Sequence, residues 1–159
     1  MITCNNVVLD RRLSDNNTRL DRRLTMVNIA QDSINTEPEE DYQRRKVLIV
    51  DDQSFNVEAI MIIMNSLFGI NTESICSLAY HGKEALKKVK ESTAHFNNTK
   101  CGYELILMDC NMPFLDGYGA TEQIRDFLYD LGLRQPIITA VTGHTESIFV
   151  NRAIDAGMN

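Results

Sequence analysis

The sequence predicts an α/β fold built on a doubly wound parallel sheet. Three observations carry that prediction: short continuous apolar runs rich in β-branched residues, segments of helical apolar spacing between them, and a strand–helix alternation that holds from residue 46 onward. Continuous apolar runs suit strands buried on both faces. Alternation of strand and helix is the order that βαβ crossovers produce, with helices on both faces of the sheet.

Val47-Leu48-Ile49-Val50 reads as the first buried strand. Ser54 to Phe68 reads as a helix with Ile60, Ile63, Met64 and Leu67 on its inward side and Gly69 as its stop. Thr72 to Cys76 reads as a weaker strand, and Gly82 to Glu91 as a helix facing inward through Ala85, Leu86 and Val89. A polar loop is expected from Ser92 to Gly102, then a third strand from Glu104 to Met108 and a turn marked by Pro113 and Gly117. Ala120, Ile124, Phe127, Leu128 and Leu131 stand at helical spacing, and Gly132 closes that helix. Pro136 to Val141 reads as a fourth strand and Thr145 to Ala156 as a fourth helix.

A chain of 159 residues holds one ordinary domain and a tail, and 43% hydrophobic content supports a packed core. The longest apolar candidate, Ala59 to Met64, falls well short of the ~18 residues of a membrane span. The N-terminus has charged and Asn-rich stretches where a signal peptide would have an apolar core. A cytoplasmic protein without membrane contact is the expectation. The formal charge is −6, with seven positive and eight negative side chains in residues 1–45 and nine and fourteen in residues 46–159. An acidic domain lacks the basic patch that nucleic-acid binding requires, so no nucleic-acid partner is expected. Cys4, Cys76, Cys101 and Cys110 form neither a CxxC pair nor a zinc spacing, which predicts reduced thiols.

Residues 1–45 are expected to be a polar linker or disordered tail. Arg11-Arg12-Leu13-Ser14 recurs as Arg22-Arg23-Leu24-Thr25, a pattern that also suits a basic-directed kinase. Leu13, Leu20 and Val27 are spaced by seven, but Asn16 and Arg23 spoil the alternate seam positions of a coiled coil. Glu37-Pro38-Glu39-Glu40-Asp41 ends the tail as an acidic linker.

Chemistry gathers at the strand ends. Strand one ends in Asp51-Asp52, strand three in Asp109 and strand four in Thr142. In open α/β sheets the functional site lies outside the carboxyl ends of the strands. Two carboxylates ~4 Å apart repel by ~4 kcal/mol at an effective dielectric of ~20. A hard divalent cation such as Mg²⁺ offsets that charge and also takes phosphate oxygens. An Asp beside such a cation is a plausible nucleophile toward phosphorus, and the Thr142 hydroxyl can donate to a phosphoryl oxygen.

Three stretches carry a family resemblance. Val50-Asp51-Asp52, Leu107-Met108-Asp109-Cys110-Asn111-Met112-Pro113-Phe114-Leu115-Asp116-Gly117 and Ile137-Ile138-Thr139-Ala140-Val141-Thr142 resemble the signatures of response regulator receiver domains. Ala79-Tyr80-His81-Gly82-Lys83-Glu84-Ala85-Leu86 is similar to that family's second-helix entry, and the loop at 92–102 resembles receivers attached to hybrid histidine kinases. The resemblance covers residues 45–159 and implies a flavodoxin-like sheet. It implies that Asp109 is the phosphoacceptor of a His-to-Asp phosphorelay. It further implies that Asp52 binds Mg²⁺ directly, Asp51 helps through water, Asn111 offers its main-chain carbonyl and Thr142 is the switch hydroxyl. The implied donor is a phosphohistidine on a histidine kinase or histidine phosphotransfer protein, and the implied role is signalling rather than enzymatic.

The sequence departs from the family pattern after strand four. The family places a lysine and a switch aromatic on a fifth strand, which with its following helix has no counterpart before Asn159. Lys83, Lys87, Lys88, Lys90 and Lys100 stand in the wrong places to substitute. The expectation is a C-terminally truncated receiver whose fourth strand is an open edge, unstable or aggregating unless a partner covers it.

Blander assignments compete. Asp52 alone would suit a helix cap, Asp116-Gly117 suits turn chemistry, His144 sits in a loop and not in a phosphohistidine helix, and Cys110 suits packing. The missing lysine favours a pseudo-receiver that binds partners without phosphorylation. A haloacid-dehalogenase-type hydrolase would need Asp-x-Asp where Asp51-Asp52-Gln53-Ser54 stands, and no G-x-x-x-x-G-K-[ST] phosphate loop is present.

Overall fold

The computed structural model describes residues 44–143 and 146–159. The tail's repeated Arg-Arg motif and acidic linker, together with His144 and Thr145, lie outside the described residues. The elements run β1 (Val47–Val50), α1 (Ser54–Phe68), α2 (Thr72–Ile75), β2 (Cys76–Ala79), α3 (Gly82–His95), β3 (Leu105–Asp109), α4 (Gly117–Asp130), β4 (Ile137–Val141) and α5 (Ser147–Asp155). The four strands are all parallel and stand in the order β2-β1-β3-β4. Among the described residues no helix is long and apolar enough to cross a membrane.

Two-residue alternation along the strands sorts their side chains onto two faces. Leu48 and Val50 of β1, Ile106 and Met108 of β3 and Ile138 of β4 meet Ala85 and Val89 of α3, Ala120, Ile124 and Leu128 of α4 and Ala153 of α5. Val47 and Ile49 point the other way, onto Val57 of α1, with Ile60, Met61 and Met64 packed beside them. One face therefore carries three helices, while α1 is the long helix on the other.

Several boundaries differ from the sequence expectation. The segment expected as a strand from Thr72 is a single helical turn, α2, and β2 begins only at Cys76. Thr72 is buried in that turn, and its β-branched character serves packing there rather than pleating. Helix α3 runs four residues beyond Glu91 because Ser92 and Thr93 are buried and satisfied: Thr93 Oγ1 donates to the Val89 carbonyl at 2.8 Å, and Ser92 Oγ accepts from Gly102 N at 3.0 Å. On α1, Ile63 and Leu67 were expected to face inward but are 50% and 73% exposed. Ile63 borders the hollow beside Asp51, Asp109 and Thr142, and no described element encloses either side chain. Gly69 and Gly132 do end their segments in the left-handed conformation, at φ 64° and 66°.

Arg125 ties the last residues to the sheet. Its Nε donates to the Gly157 carbonyl at 2.9 Å and one terminal nitrogen to the Pro136 carbonyl at 2.7 Å. The other terminal nitrogen donates to Asn159 Oδ1 at 3.0 Å. Asn159 lies against the β4 edge, donating its N–H to the Ile138 carbonyl at 2.8 Å and accepting from Ile138 N at 2.9 Å through Oδ1. Replacing Arg125 by Met is expected to destabilise the chain by roughly 1.5–3 kcal/mol, the worth of a charge-assisted hydrogen bond. Urea unfolding followed by circular dichroism measures the shift.

Candidate functional site

Strand register brings the carboxylates together. Val50 of β1 stands opposite Met108 of β3, so the next residues, Asp51 just past β1 and Asp109 at the end of β3, stand side by side at the sheet's carboxyl edge. One carboxylate oxygen each from Asp51, Asp52 and Asp109 lies within 4.8 Å of the other two. Asp51 is buried, whereas Asp52 and Asp109 are half-buried.

Local turns hold these side chains. Asp51 Oδ1 accepts from Gln53 N at 2.9 Å and from Asn56 Nδ2 at 3.1 Å, which fixes the buried carboxylate from the first turn of α1. Asp52 Oδ2 accepts from Gln53 Nε2 at 3.2 Å. Asp52 does not cap α1: the N-cap position belongs to Gln53 and makes no side-chain cap bond. Asp109 Oδ1 accepts from Asn111 N at 3.1 Å. Burial pushes the Asp109 carboxyl above its usual range, and the charges of Asp51 and Asp52 push it further, against the lowering effect of the Asn111 and Cys110 N–H groups.

Thr142 follows β4 directly, and the β3–β4 register sets Val141 opposite Asp109. Thr142 shares with Asp51 and Asp109 a hollow of about 310 Å³, walled by Asn56, Ile60 and Ile63 of α1 and by Val141 and Gly143. The four expected side chains thus gather at one edge. Asn111 adjoins them through its main chain. Sequence reasoning missed Asn56 and Gln53, which orient Asp51 and Asp52. The available signal was a pair of amides within five residues of an acidic pair at a strand end.

The chain after Asp109 needs its glycine. A Cβ on Gly117 would lie 2.0 Å from the Asp109 carbonyl oxygen and 3.0 Å from Cys110 Cα. Asp116 caps α4, accepting from Gly119 N at 2.8 Å, and also takes a bond from Arg152 of α5 at 2.9 Å. Asp116-Gly117 therefore serves turn and cap chemistry. Cys110 is buried, and burial raises its thiol above the ordinary range.

The sequence profile of the response regulator receiver domain matches residues 47–159. The chain belongs to this family. Its receiver is 40% identical over 114 residues to the osmosensing histidine protein kinase SLN1 of Saccharomyces cerevisiae, a match covering 72% of the chain but 8% of the relative. The chain thus spans a small part of that relative's length. The receiver of the histidine kinase CKI1 from Arabidopsis thaliana, solved with Mg²⁺ and BeF₃⁻, superimposes with a TM-score of 0.60 at 32% identity, over 76% of this chain and 83% of that one. The receiver of the response regulator Ssk1 of Saccharomyces cerevisiae, solved with the histidine phosphotransfer protein Ypd1, matches at a TM-score of 0.58 and 29% identity, over 73% and 75% of the two chains.

The raised Asp109 carboxyl has a consequence for stability. A carboxyl raised in the folded state binds more protons there than in the unfolded chain between its two pKa values, so stability falls as pH rises through that window. The penalty is absent below the unfolded value and complete above the folded one. In metal-free buffer at neutral pH, Asp109→Asn is expected to raise the melting temperature of this receiver, with the gain fading toward acid pH. Parallel thermal melts from pH 4 to 8 check the sign.

Proposed function

We propose that residues 46–159 act as the phosphoacceptor domain of a His-to-Asp phosphorelay, with residues 1–45 as a polar linker. The observation that carries this reading is the convergence of Asp51, Asp52 and Asp109 oxygens within 4.8 Å at the edge where Thr142 opens onto the same hollow.

Three hard carboxylate oxygens form a donor set that fits Mg²⁺. Asp52 and Asp109 would bind it directly, Asp51 through water, and Asn111 through its main-chain carbonyl. Bound there, Mg²⁺ supplies positive charge that shields the carboxylates from an incoming phosphoryl group. An oxygen of Asp109 attacks the phosphorus of a phosphohistidine as the P–N bond breaks, and the departing imidazole takes up a proton. The Asn111 N–H orients the nucleophile through its bond to Oδ1. Thr142 donates its hydroxyl to a phosphoryl oxygen and draws the segment leading to α5 with it, which is the switch.

The partner in this reading is a histidine kinase or histidine phosphotransfer protein, supported by the likeness to a receiver solved with Ypd1. The domain is a signalling acceptor rather than an enzyme. A cytoplasmic location accords with the free thiols of Cys76, Cys101 and Cys110. One observation favours a second reading, the pseudo-receiver: among the described residues, no lysine or arginine lines the hollow to offset a phosphoryl group's charge.

Intact mass after incubation with Mg²⁺ and acetyl phosphate separates the two readings. The expected result is gain of one phosphoryl group in the native sequence, lost with chelator and lost in Asp109→Asn. No gain in chain shown to be folded by circular dichroism selects the pseudo-receiver. Mg²⁺ at about a hundred times its Kd is also expected to stabilise the native chain by ~2.7 kcal/mol. The same titration should leave Asp109→Asn nearly unmoved.

A further inference from the structure

A second surface lies on α3, apart from the acidic site. The helix carries Lys83, Lys87, Lys88 and Lys90 against Glu84 and Glu91, whereas the remainder of residues 46–159 carries five cationic and twelve acidic side chains. Lys83, Lys87 and Lys90 are exposed and follow the i, i+4, i+7 spacing of one helix face, while Ala85 and Val89 are buried beneath. Together with Leu86 and Glu91 they line a groove of about 290 Å³. Local acids neutralise little of this charge. The Glu84 carboxylate accepts from Tyr80 N at 2.8 Å, and Glu91 pairs with Lys87 at 3.6 Å. Lys90 is steadied by the Phe127 ring of α4, its Nζ 5.3 Å from the ring centre.

We propose that this groove docks a short acidic segment of a partner protein, with one apolar side chain seated beside Leu86 and carboxylates paired to Lys83, Lys87 and Lys90. Charge complementarity identifies the partner. The dimensions narrow it further: the three lysines span seven helical residues, about 10 Å. Exposed Glu122, Asp126 and Asp130 on the neighbouring α4 would repel a broad polyanion such as a duplex or an anionic bilayer. A single acidic peptide strand or helix meets the cationic stripe without meeting that acidic flank. The groove on α3 shares no lining residue with the hollow at Asp109, so the surface adds partner choice to the domain without using the phosphoryl-acceptor residues.

The test is fluorescence anisotropy with a labelled peptide of repeated glutamates and one central leucine, added to the full chain at low salt. The expected result is saturable binding that weakens as salt rises. It should weaken roughly tenfold in the triple variant Lys83→Gln, Lys87→Gln, Lys90→Gln. A control with the same charge change elsewhere, Lys46→Gln, Lys100→Gln and Arg134→Gln, should stay within twofold of the native chain. Acyl-phosphate labelling of Asp109 should be unchanged in the α3 variant, which separates failure of this surface from failure of the acceptor site. Absence of saturable binding overturns the proposal, as does equal loss in both triple variants. Tighter lysine-dependent binding to phosphatidylserine vesicles or duplex DNA overturns the choice of an acidic peptide.

Discussion

The site rests on charge crowding that the parallel register enforces. Once β1 and β3 pair so that Val50 faces Met108, Asp51 and Asp109 must emerge together, with Asp52 one residue on. That arrangement opposes folding, because burial and mutual repulsion both disfavour the ionised Asp109 carboxyl. The fold bears it through donors placed locally. Gln53 N and Asn56 Nδ2 hold Asp51, and Asn111 N holds Asp109. Like charges crowded by strand register and held by local donors form a donor set of hard oxygens at the sheet's carboxyl edge.

The surrounding loops serve the same geometry. Because Gly117 lacks a side chain, the chain turns back against the Asp109 carbonyl, and the α4 N-terminus starts under the control of the Asp116 cap. Arg152 reaches from α5 to that same cap and stacks 3.9 Å from the Tyr118 ring centre. The helix that follows Thr142 is therefore fastened to the loop that follows Asp109. Movement at either segment has a physical route to the other, through one charge-assisted bond and one cation–π contact.

The two faces of the sheet are unequal. Leu48, Val50, Ile106, Met108 and Ile138 are fully enclosed by three helices, whereas on the opposite face Ile137 of β4 is 55% exposed and Ile63 and Leu67 of α1 lie open. Apolar surface of this extent beside an edge strand is where a further element or a partner gains most by docking. Asn159 already makes two hydrogen bonds to Ile138 on that edge.

Much was legible in the residues. The apolar runs at Val47–Val50 and in β3 marked strands buried on both faces, the helix from Ser54 to Phe68 carried its own stop at Gly69, and acids at the ends of the first and third strands marked the edge where chemistry would gather. Such features are local: they follow from propensity, period and the residue at a turn. Other features required the folded chain. Thr72 is buried in the helical turn up to Ile75, and Ser92 to His95 stayed helical with Ser92 and Thr93 buried. Asn56 became a positioning residue only when α1 was laid beside Asp51. The exposure of Ile63 and Leu67 could not be read from their spacing, since a helical stripe shows which residues share a face but not whether a neighbour covers it. By itself the sequence determined the strand–helix order and the acids at the ends of the first and third strands. Only the tertiary structure decided which carboxylates meet, what holds them and which apolar surfaces remain open, because those depend on register and packing between segments that are far apart along the chain.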